Sequence, residues 1–291
     1  MADILHLLNL DIFNFTGGTP QPPDLAPSIV FAALYGLALP VLIWRVSNRA
    51  SRTWLLLQPA TFLLLRLSMY ILRAIMSVHP YDIHYLSGEA SLVNISFLIL
   101  LFPVLDLWRL HILTTVQRKN RPKWVRPVIP YVTLLVSIIL SIVTATKVDP
   151  TGPTSSLVRG LWRANYILSV STVAMGLIYV PLCHFLMHLG LRGSIYLMFL
   201  LSLCFITAVY RVIQLHTLDP HAPVRSRAAF YILEGASDWI CLAAILAINI
   251  NVWYPGELAW KKEPYEPDEA AMTAPSTDTV SVLVNSRTQQ V

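Results

Sequence analysis

Long apolar stretches separated by short polar segments run along most of the chain. A transmembrane helix needs about 20 consecutive, predominantly apolar residues. Seven stretches meet this length: roughly 27–46, 54–76, 90–114, 127–146, 161–188, 193–215 and 228–253. Because the connections between them are short, the helices are expected to pack as one bundle. The pattern predicts an all-α, polytopic membrane protein with a seven-transmembrane-helix bundle.

Composition supports the membrane interpretation and divides the chain into three parts. Of the 291 residues, 55% are hydrophobic and 13% are charged, too few polar residues to cover the surface of a water-soluble domain. Residues 1–26 are predicted to be an outer N-terminal tail and residues 27–254 the helical domain. Residues 255–291 are rich in Pro, Glu, Asp, Ser and Thr, which is typical of a disordered cytosolic tail.

The distribution of basic residues predicts the orientation of the bundle. Loops on the cytosolic side of a membrane carry an excess of Lys and Arg. The loops after the first and third spans are basic, and the third-span loop reads RKNRPKWVR, whereas the N-terminal tail and the loop at 77–89 contain no Lys or Arg. The N-terminus is therefore expected outside and the C-terminus inside. Asn14 begins a glycosylation sequon that would face the lumen or exterior.

Two acidic residues interrupt the last apolar stretch. Glu234 and Asp238 are four residues apart, so on a helix they lie on one face. Each would cost several kcal/mol if it faced lipid, and both are expected to face the bundle interior. The candidate partners are Arg66 and Arg73 on the second span, with Tyr70 between them, and Arg211 on the sixth.

A rise of about 1.5 Å per residue gives each charged side chain an approximate depth. Arg73, Arg211 and Glu234 lie roughly 10 Å from mid-membrane toward the outer face, while Arg66 and Asp238 lie near the middle. This predicts two layers of opposite charge, with Arg73 and Arg211 facing Glu234 in the outer layer.

The charges within the spans do not balance. Asp106 and Arg109 are three residues apart on the third span and are expected to pair. With them, four arginines face three acids, which leaves one positive charge in excess. An anionic headgroup or carboxylate would complete the set, since Arg suits bidentate contacts with either group. The alternative is a structural polar network that holds the helices together. The candidate ligand-binding residues are Arg66, Tyr70, Arg73, Arg211, Glu234 and Asp238.

Three histidines near the inner side form a metal-like pattern. His184 and His188 have the i, i+4 spacing of two imidazoles on one helical face, and His111 lies at the inner end of the third span, near Asp106. The set resembles the zinc site of seven-span intramembrane hydrolases and of the progestin and adiponectin receptor family, although in that family the paired His come from the last span. Interfacial histidines without a metal are the alternative reading.

Other function classes are not favoured by the sequence. The chain has no Lys in the last span, no NPxxY and no DRY sequence, which argues against a rhodopsin-class receptor, while a divergent ligand sensor signalling through its inner loops stays open. The basic inner loop is explained by orientation, so no nucleic-acid partner is expected. The sequence contains no Gly-rich phosphate loop or nucleophile elbow. An enzyme is not expected, nor is a cofactor.

A further resemblance lies in the last two spans. The segments Tyr210-Arg211-Val212-Ile213-Gln214, then 230–234 (FYILE), then Tyr254-Pro255-Gly256 resemble motifs of the fungal seven-span family linked to lipid translocation and aminocholesterol resistance. Here Gln214 replaces a Glu and Tyr254 replaces a His of that family. A sister family of uncharacterised fungal membrane proteins is similar to the same extent. The resemblance implies a non-enzymatic protein of the plasma membrane or an endomembrane, associated with sphingoid-base or sterol-related stress.

Our first hypothesis is therefore a lipid-handling protein whose buried charges line a cavity open toward the outer leaflet. Membrane lipid is its expected partner. The ligand sensor and the zinc-dependent intramembrane hydrolase are the two alternatives.

Overall fold

The computed structural model describes residues 17–48, 51–81, 83–115, 128–147, 156–217 and 222–254. The predictions for the sequon at Asn14, for the basic loop after the third span and for the C-terminal tail lie outside these residues. Every regular element in the described ranges is helical, so the all-α prediction is confirmed there.

Six helices follow the predicted spans in order. They are α1 (Leu25–Ser47), α2 (Leu57–Val78), α3 (Ile83–Thr115), α4 (Val128–Lys147), α5 (Ser156–Met187) and α6 (Leu191–His216). The seventh, α7 (Arg227–Ala247), is one helix in three pieces: Arg227–Ala229, a π-helical turn at Phe230–Ala236, and Ser237–Ala247. A short helix, α8 (Ile250–Trp253), follows it.

Six of the described helices are long and apolar enough to cross a membrane, and these are α1, α2, α3, α5, α6 and α7. The apolar part of α4, Ile129–Thr144, is shorter than the others. The structure therefore agrees with a multi-pass integral membrane protein, with one span fewer meeting the length criterion than the sequence predicted.

The helices pack in chain order, and α7 closes the bundle by contacting α1, α2 and α3 as well as α6. The most enclosed span is α3 and the most exposed is α1. The third and fifth helices start earlier than predicted, so α3 begins at Ile83 and takes Glu89 into the bundle.

The π-helical turn in α7 was not predicted from the sequence. It lies where Gly235 packs directly against α2, since a Cβ at that position would be 2.7 Å from Tyr70 Oη. Groups within this turn and just after it also contact α6. Thr207 Oγ1 on α6 lies 3.3 Å from the Leu233 carbonyl oxygen and 3.1 Å from Asp238 Oδ1. Because π-helical turns occur often at functional sites, the buried charges in this segment are candidates for a functional role.

Candidate functional site

Four buried side chains in the middle of the bundle form what we call the central cluster: Arg66, Arg211, Glu234 and Asp238. Glu234 Oε1 lies 2.6 Å from Arg211 Nη2 and 3.1 Å from Arg66 Nη2. The same Arg66 nitrogen pairs with Asp238 Oδ2, as the sequence predicted. All four side chains are at most 2% exposed. The cluster thus joins α2 and α6 to α7 through charge-assisted hydrogen bonds.

Arg211 is enclosed on its other sides as well. Its Nη2 donates to the Val93 carbonyl oxygen at 3.0 Å, and its guanidinium lies 4.5 Å from the centre of the Phe97 ring. Its Nη1 is 3.5 Å from Asn94 Oδ1. Arg211 was predicted to face a headgroup near the outer surface. Instead, its guanidinium is surrounded by protein groups: a backbone carbonyl, a side-chain amide, the Glu234 carboxylate and an aromatic ring.

Amide and hydroxyl groups extend the central cluster toward α4 and α5. Asn94 Nδ2 donates to Ser141 Oγ at 2.9 Å, and Asn165 Nδ2 lies 3.0 Å from the same hydroxyl and 3.4 Å from Asn94 Oδ1. All three side chains are buried. Polar contacts therefore run from α7 through α6 and α3 to α4 and α5, which links most of the bundle at one level.

A second group of charges, the outer cluster, consists of Asp24, Arg73, Glu89 and Arg227. Arg73 Nη1 pairs with Glu89, and its Nη2 lies 3.3 Å from Asp24 Oδ1. Asp24 Oδ2 is 3.2 Å from Arg227 Nε. The prediction that Arg73 faces Glu234 is therefore wrong. Arg73 is instead neutralised by Asp24, which directly precedes α1, and by Glu89 in the first part of α3.

Tyr231 connects the outer cluster to α1. Its hydroxyl accepts a hydrogen bond from Arg73 Nε at 3.1 Å and lies 2.8 Å from Ser28 Oγ and 3.3 Å from Asp24 Oδ1. The Arg73 guanidinium also lies 5.0 Å from the centre of the Phe230 ring. The first two residues of the π-helical turn thus contact the outer cluster, and Glu234 in the same turn contacts the central one.

Aromatic rings fill the space between the two clusters. Tyr70 stacks on Phe31 at 5.1 Å and on Tyr35 at 5.7 Å between ring centres, and Phe31 stacks in turn on Tyr231 at 5.7 Å. Offset stacking at these distances adds to the gain from burial. Tyr70, a predicted ligand-binding residue, is fully buried in this stack.

The charges of the two clusters balance. Arg66, Arg73, Arg211 and Arg227 face Asp24, Glu89, Glu234 and Asp238. The positive excess inferred from the sequence is therefore absent from these clusters, and with it the main electrostatic reason for an anion among the central residues. Asp106 does not contribute to either cluster.

The predicted pair of Asp106 and Arg109 is also replaced by other contacts. Asp106 accepts hydrogen bonds from Gln58 Nε2 at 2.8 Å and from the Tyr131 hydroxyl. Arg109 is exposed on α3. Within the described ranges, no ion pair joins the two side chains.

Two of the three histidines converge, but on a serine. His111 Nε2 and His184 Nδ1 each lie 3.0 Å from Ser194 Oγ. His188 is exposed and has a φ of 50°, since α5 ends at Met187 and the chain reverses there. Among the described residues, no group of three or more His, Cys, Asp or Glu side chains is placed to hold a metal ion. The zinc hypothesis gains no support from this geometry.

An apolar groove runs between α1 and α2 on the outside of the bundle. Its volume is about 440 Å³. Its lining residues are Leu25, Ile29, Ala32, Ala33, Ile71, Ala74, Ile75, Val78 and His79. The isoleucines and Val78 are about half exposed, so the groove faces the surroundings of the bundle. One end lies beside Leu25, the residue after Asp24 of the outer cluster.

Comparison with protein-family models, with curated proteins and with solved structures finds no match to this chain.

Proposed function

We propose that this chain is a seven-span membrane protein, N-terminus outside and C-terminus inside, that handles an amphipathic membrane lipid at the outer ends of α1 and α2. The groove between these helices is the observation that carries the proposal. An extended apolar groove facing the bilayer suits an acyl or sphingoid chain, and a polar rim at its outer end suits a headgroup.

The groove owes its depth to small residues. Ala32 and Ala33 on α1 and Ala74 on α2 line it, and small side chains leave space between two helices that larger ones would fill. Isoleucines on both helices form its sides. A hydrocarbon chain lying there would gain about 0.8 kcal/mol for each methylene transferred from water, and less when transferred from the bilayer, so shape would decide its retention.

The proposed headgroup contact is Arg227, beside the groove, instead of Arg211, because Leu25 of the groove directly follows Asp24, the partner of Arg227. Arg227 is 33% exposed while it pairs with Asp24, and it also hydrogen-bonds to the exposed Gln21. His79, at the end of α2, lines the groove on the other side. A headgroup at this position would reach Arg227, the partly exposed member of the outer cluster, without entering the central cluster.

The motif resemblance supports the same proposal. Two of the residues that carry it, Arg211 and Glu234, form an ion pair, and a third, Tyr231, accepts a hydrogen bond from Arg73. Gln214, which stands where the resembled family has Glu, donates to the Tyr210 hydroxyl at 2.6 Å. A shared lipid-related function with that fungal family is part of this proposal, as is a location in the plasma membrane or an endomembrane.

A ligand sensor is the second candidate, and the π-helical turn favours it. The sensor hypothesis requires α7 to adopt a second state, and a change of the π-helical turn to the α-helical hydrogen-bond pattern would supply it. Ligand-dependent recruitment of a cytosolic protein, without any change in the distribution of lipid between the two leaflets, would favour the sensor over the lipid-handling protein.

Filling the groove is expected to reduce lipid binding. Ala33 is exposed on α1 and lines the groove, and phenylalanine there would fill space that a bound chain occupies, so labelling of α1 and α2 should fall severalfold by steric exclusion. The measurement is crosslinking of a photoactivatable, alkyne-tagged sphingosine to the full chain in phosphatidylcholine vesicles. The matched control is Ser202→Phe, at an exposed position on α6. Equal labelling of the Ala33→Phe variant and the wild type, or labelled peptides away from α1 and α2, would rule out the groove.

The orientation has its own test. A tag placed after Val291 is expected in the cytosol, and Asn14 is expected to be glycosylated in a eukaryotic host, because the basic loops after the first and third spans remain inside. Protease added to intact cells should leave the tag uncut. Digestion of the tag from outside, with Asn14 unmodified, would show that the orientation is the opposite one. The groove would then face the inner leaflet.

A further inference from the structure

The seam between α6 and α7 is held by three contacts in succession. Arg211 pairs with Glu234 at 2.6 Å, Thr207 lies 3.1 Å from Asp238, and Cys204 Sγ lies 3.9 Å from Cys241 Sγ. Each step moves by about one helical turn along both helices in opposite directions, as expected for antiparallel neighbours. The two thiols therefore face each other at a regular position of the contact between α6 and α7.

From this geometry we propose that Cys204 and Cys241 form a paired thiol site that apolar hydroperoxides oxidise to an intramolecular disulfide. A disulfide requires the sulfurs to approach to about 2.05 Å, so the observed distance of 3.9 Å must shorten by less than the length of one S–S bond. Both cysteines are at most 1% exposed and lie within spans. Charged oxidants are excluded from such a position, whereas small molecules that dissolve in hydrocarbon reach it when α6 and α7 separate transiently.

The chemistry balances in two steps. One cysteine sulfur attacks the O–O bond of the hydroperoxide and becomes a sulfenic acid, and the alcohol leaves with the thiol proton. The second thiol then attacks the sulfenic sulfur, the S–S bond forms, and water leaves with the hydroxyl and the second proton. The two sulfurs lose two electrons in total, and these reduce the O–O bond.

The disulfide would act on the residues beside it. Cys241 follows Asp238 by three residues, and Cys204 precedes Thr207 by three. A covalent bond at this position fixes the spacing of α6 and α7 within one turn of the Thr207–Asp238 contact. Any movement of α7 that separates these residues is then prevented until the bond is reduced.

The third cysteine provides an internal control for the test. The full chain in phosphatidylcholine vesicles is treated with cumene hydroperoxide, denatured and alkylated with a maleimide, and its intact mass is measured. The three free cysteines, of which Cys183 is buried on α5, should give three alkylated thiols before treatment and one after it, with a loss of two hydrogens and no dimer on a non-reducing gel. A Cys183→Ala variant should go from two thiols to none.

A Cys204→Ala variant distinguishes pairing from general oxidation. It should form no intramolecular disulfide and should keep both remaining thiols or accumulate sulfenic acid at Cys241, which dimedone captures. Retention of three thiols by the wild type, at a dose that oxidises dodecanethiol dissolved in the same vesicles, would overturn the proposal. So would equal oxidation of all three cysteines, or disulfide-linked dimers as the main product.

Discussion

Replacing Arg66 with leucine is expected to lower the free energy of unfolding by about 3–5 kcal/mol, the usual cost of breaking a buried ion pair by removing one partner. The change leaves Asp238 without its arginine and leaves Glu234 with Arg211 alone, all in a fully buried position. The measurement is thermal or denaturant unfolding in detergent. Leucine at the exposed Arg163 on α5 is the control and should change stability by no more than about 0.5 kcal/mol.

The double variant Arg66→Leu, Asp238→Leu tests the cause of this loss. It removes both charges of one pair and leaves Glu234 with Arg211, so the remaining cluster stays neutral. Its stability should exceed that of the Arg66→Leu single variant, since the cost of the single change is mostly that of the unpaired charge left behind. Strictly additive losses would contradict the pairing of Arg66 with Asp238.

Neutralising Glu234 should lower the free energy of unfolding by nearly as much as the Arg66→Leu change does. One oxygen of this carboxylate serves two buried arginines, so Glu234→Gln leaves Arg66 and Arg211 with Asp238 as the remaining acid of the central cluster. We expect a loss of about 3 kcal/mol. The variant Glu234→Gln, Arg211→Gln restores neutrality and should be more stable than the sum of the two single changes predicts.

The lipid assay on the same variant separates structure from ligand binding. Because Glu234 is fully buried and the groove is lined by other residues, sphingosine labelling per folded molecule should equal that of the wild type. Altered labelling of Glu234→Gln with unchanged stability would instead indicate that the central cluster binds lipid, as the sequence first suggested.

The sequence placed Arg73 correctly toward the outer end of α2, but it put Arg211 and Glu234 at the same depth, whereas both lie in the central cluster with Arg66 and Asp238. The direction of each side chain around its helix axis was not predictable at all. Arg73 lies in the outer group, as its position along α2 predicted, yet it faces Glu89 and Asp24 instead of Glu234. Rise per residue fixes height alone. The partner of a side chain depends also on how far its helix is rotated in the bundle, which short-range sequence spacing does not contain.

The acids of the outer cluster were missed for a related reason. A hydropathy-based span ends where the first charged residue appears, so Glu89 was assigned to an outer loop and Asp24 to the tail. In the structure α3 starts at Ile83, and Asp24 immediately precedes α1, so both carboxylates enter the bundle. Span boundaries set by hydropathy thus exclude charged residues at helix ends from the predicted bundle.

The prediction that His184 and His188 share one helical face is wrong because α5 ends between them. Two residues four apart share a face only while the helix continues. His184 is inside α5, whereas His188 follows the last helical residue and has a left-handed backbone conformation. Gly190 two residues later is a signal for such an end, and it begins the turn into α6.

The π-helical turn also determines how this protein should be aligned with others. A turn with i to i+5 hydrogen bonds holds one residue more than an α-helical turn, and one residue corresponds to about 100° of rotation. The part of α7 after Ala236 is therefore rotated by about that angle relative to its position in an unbroken α-helix. A chain that keeps the same contacts at Tyr231 and at Asp238 but lacks this turn would be one residue shorter between them. An ungapped alignment of the two would place Asp238 opposite a residue from another face of the helix, and the correspondence of the buried acids would be lost.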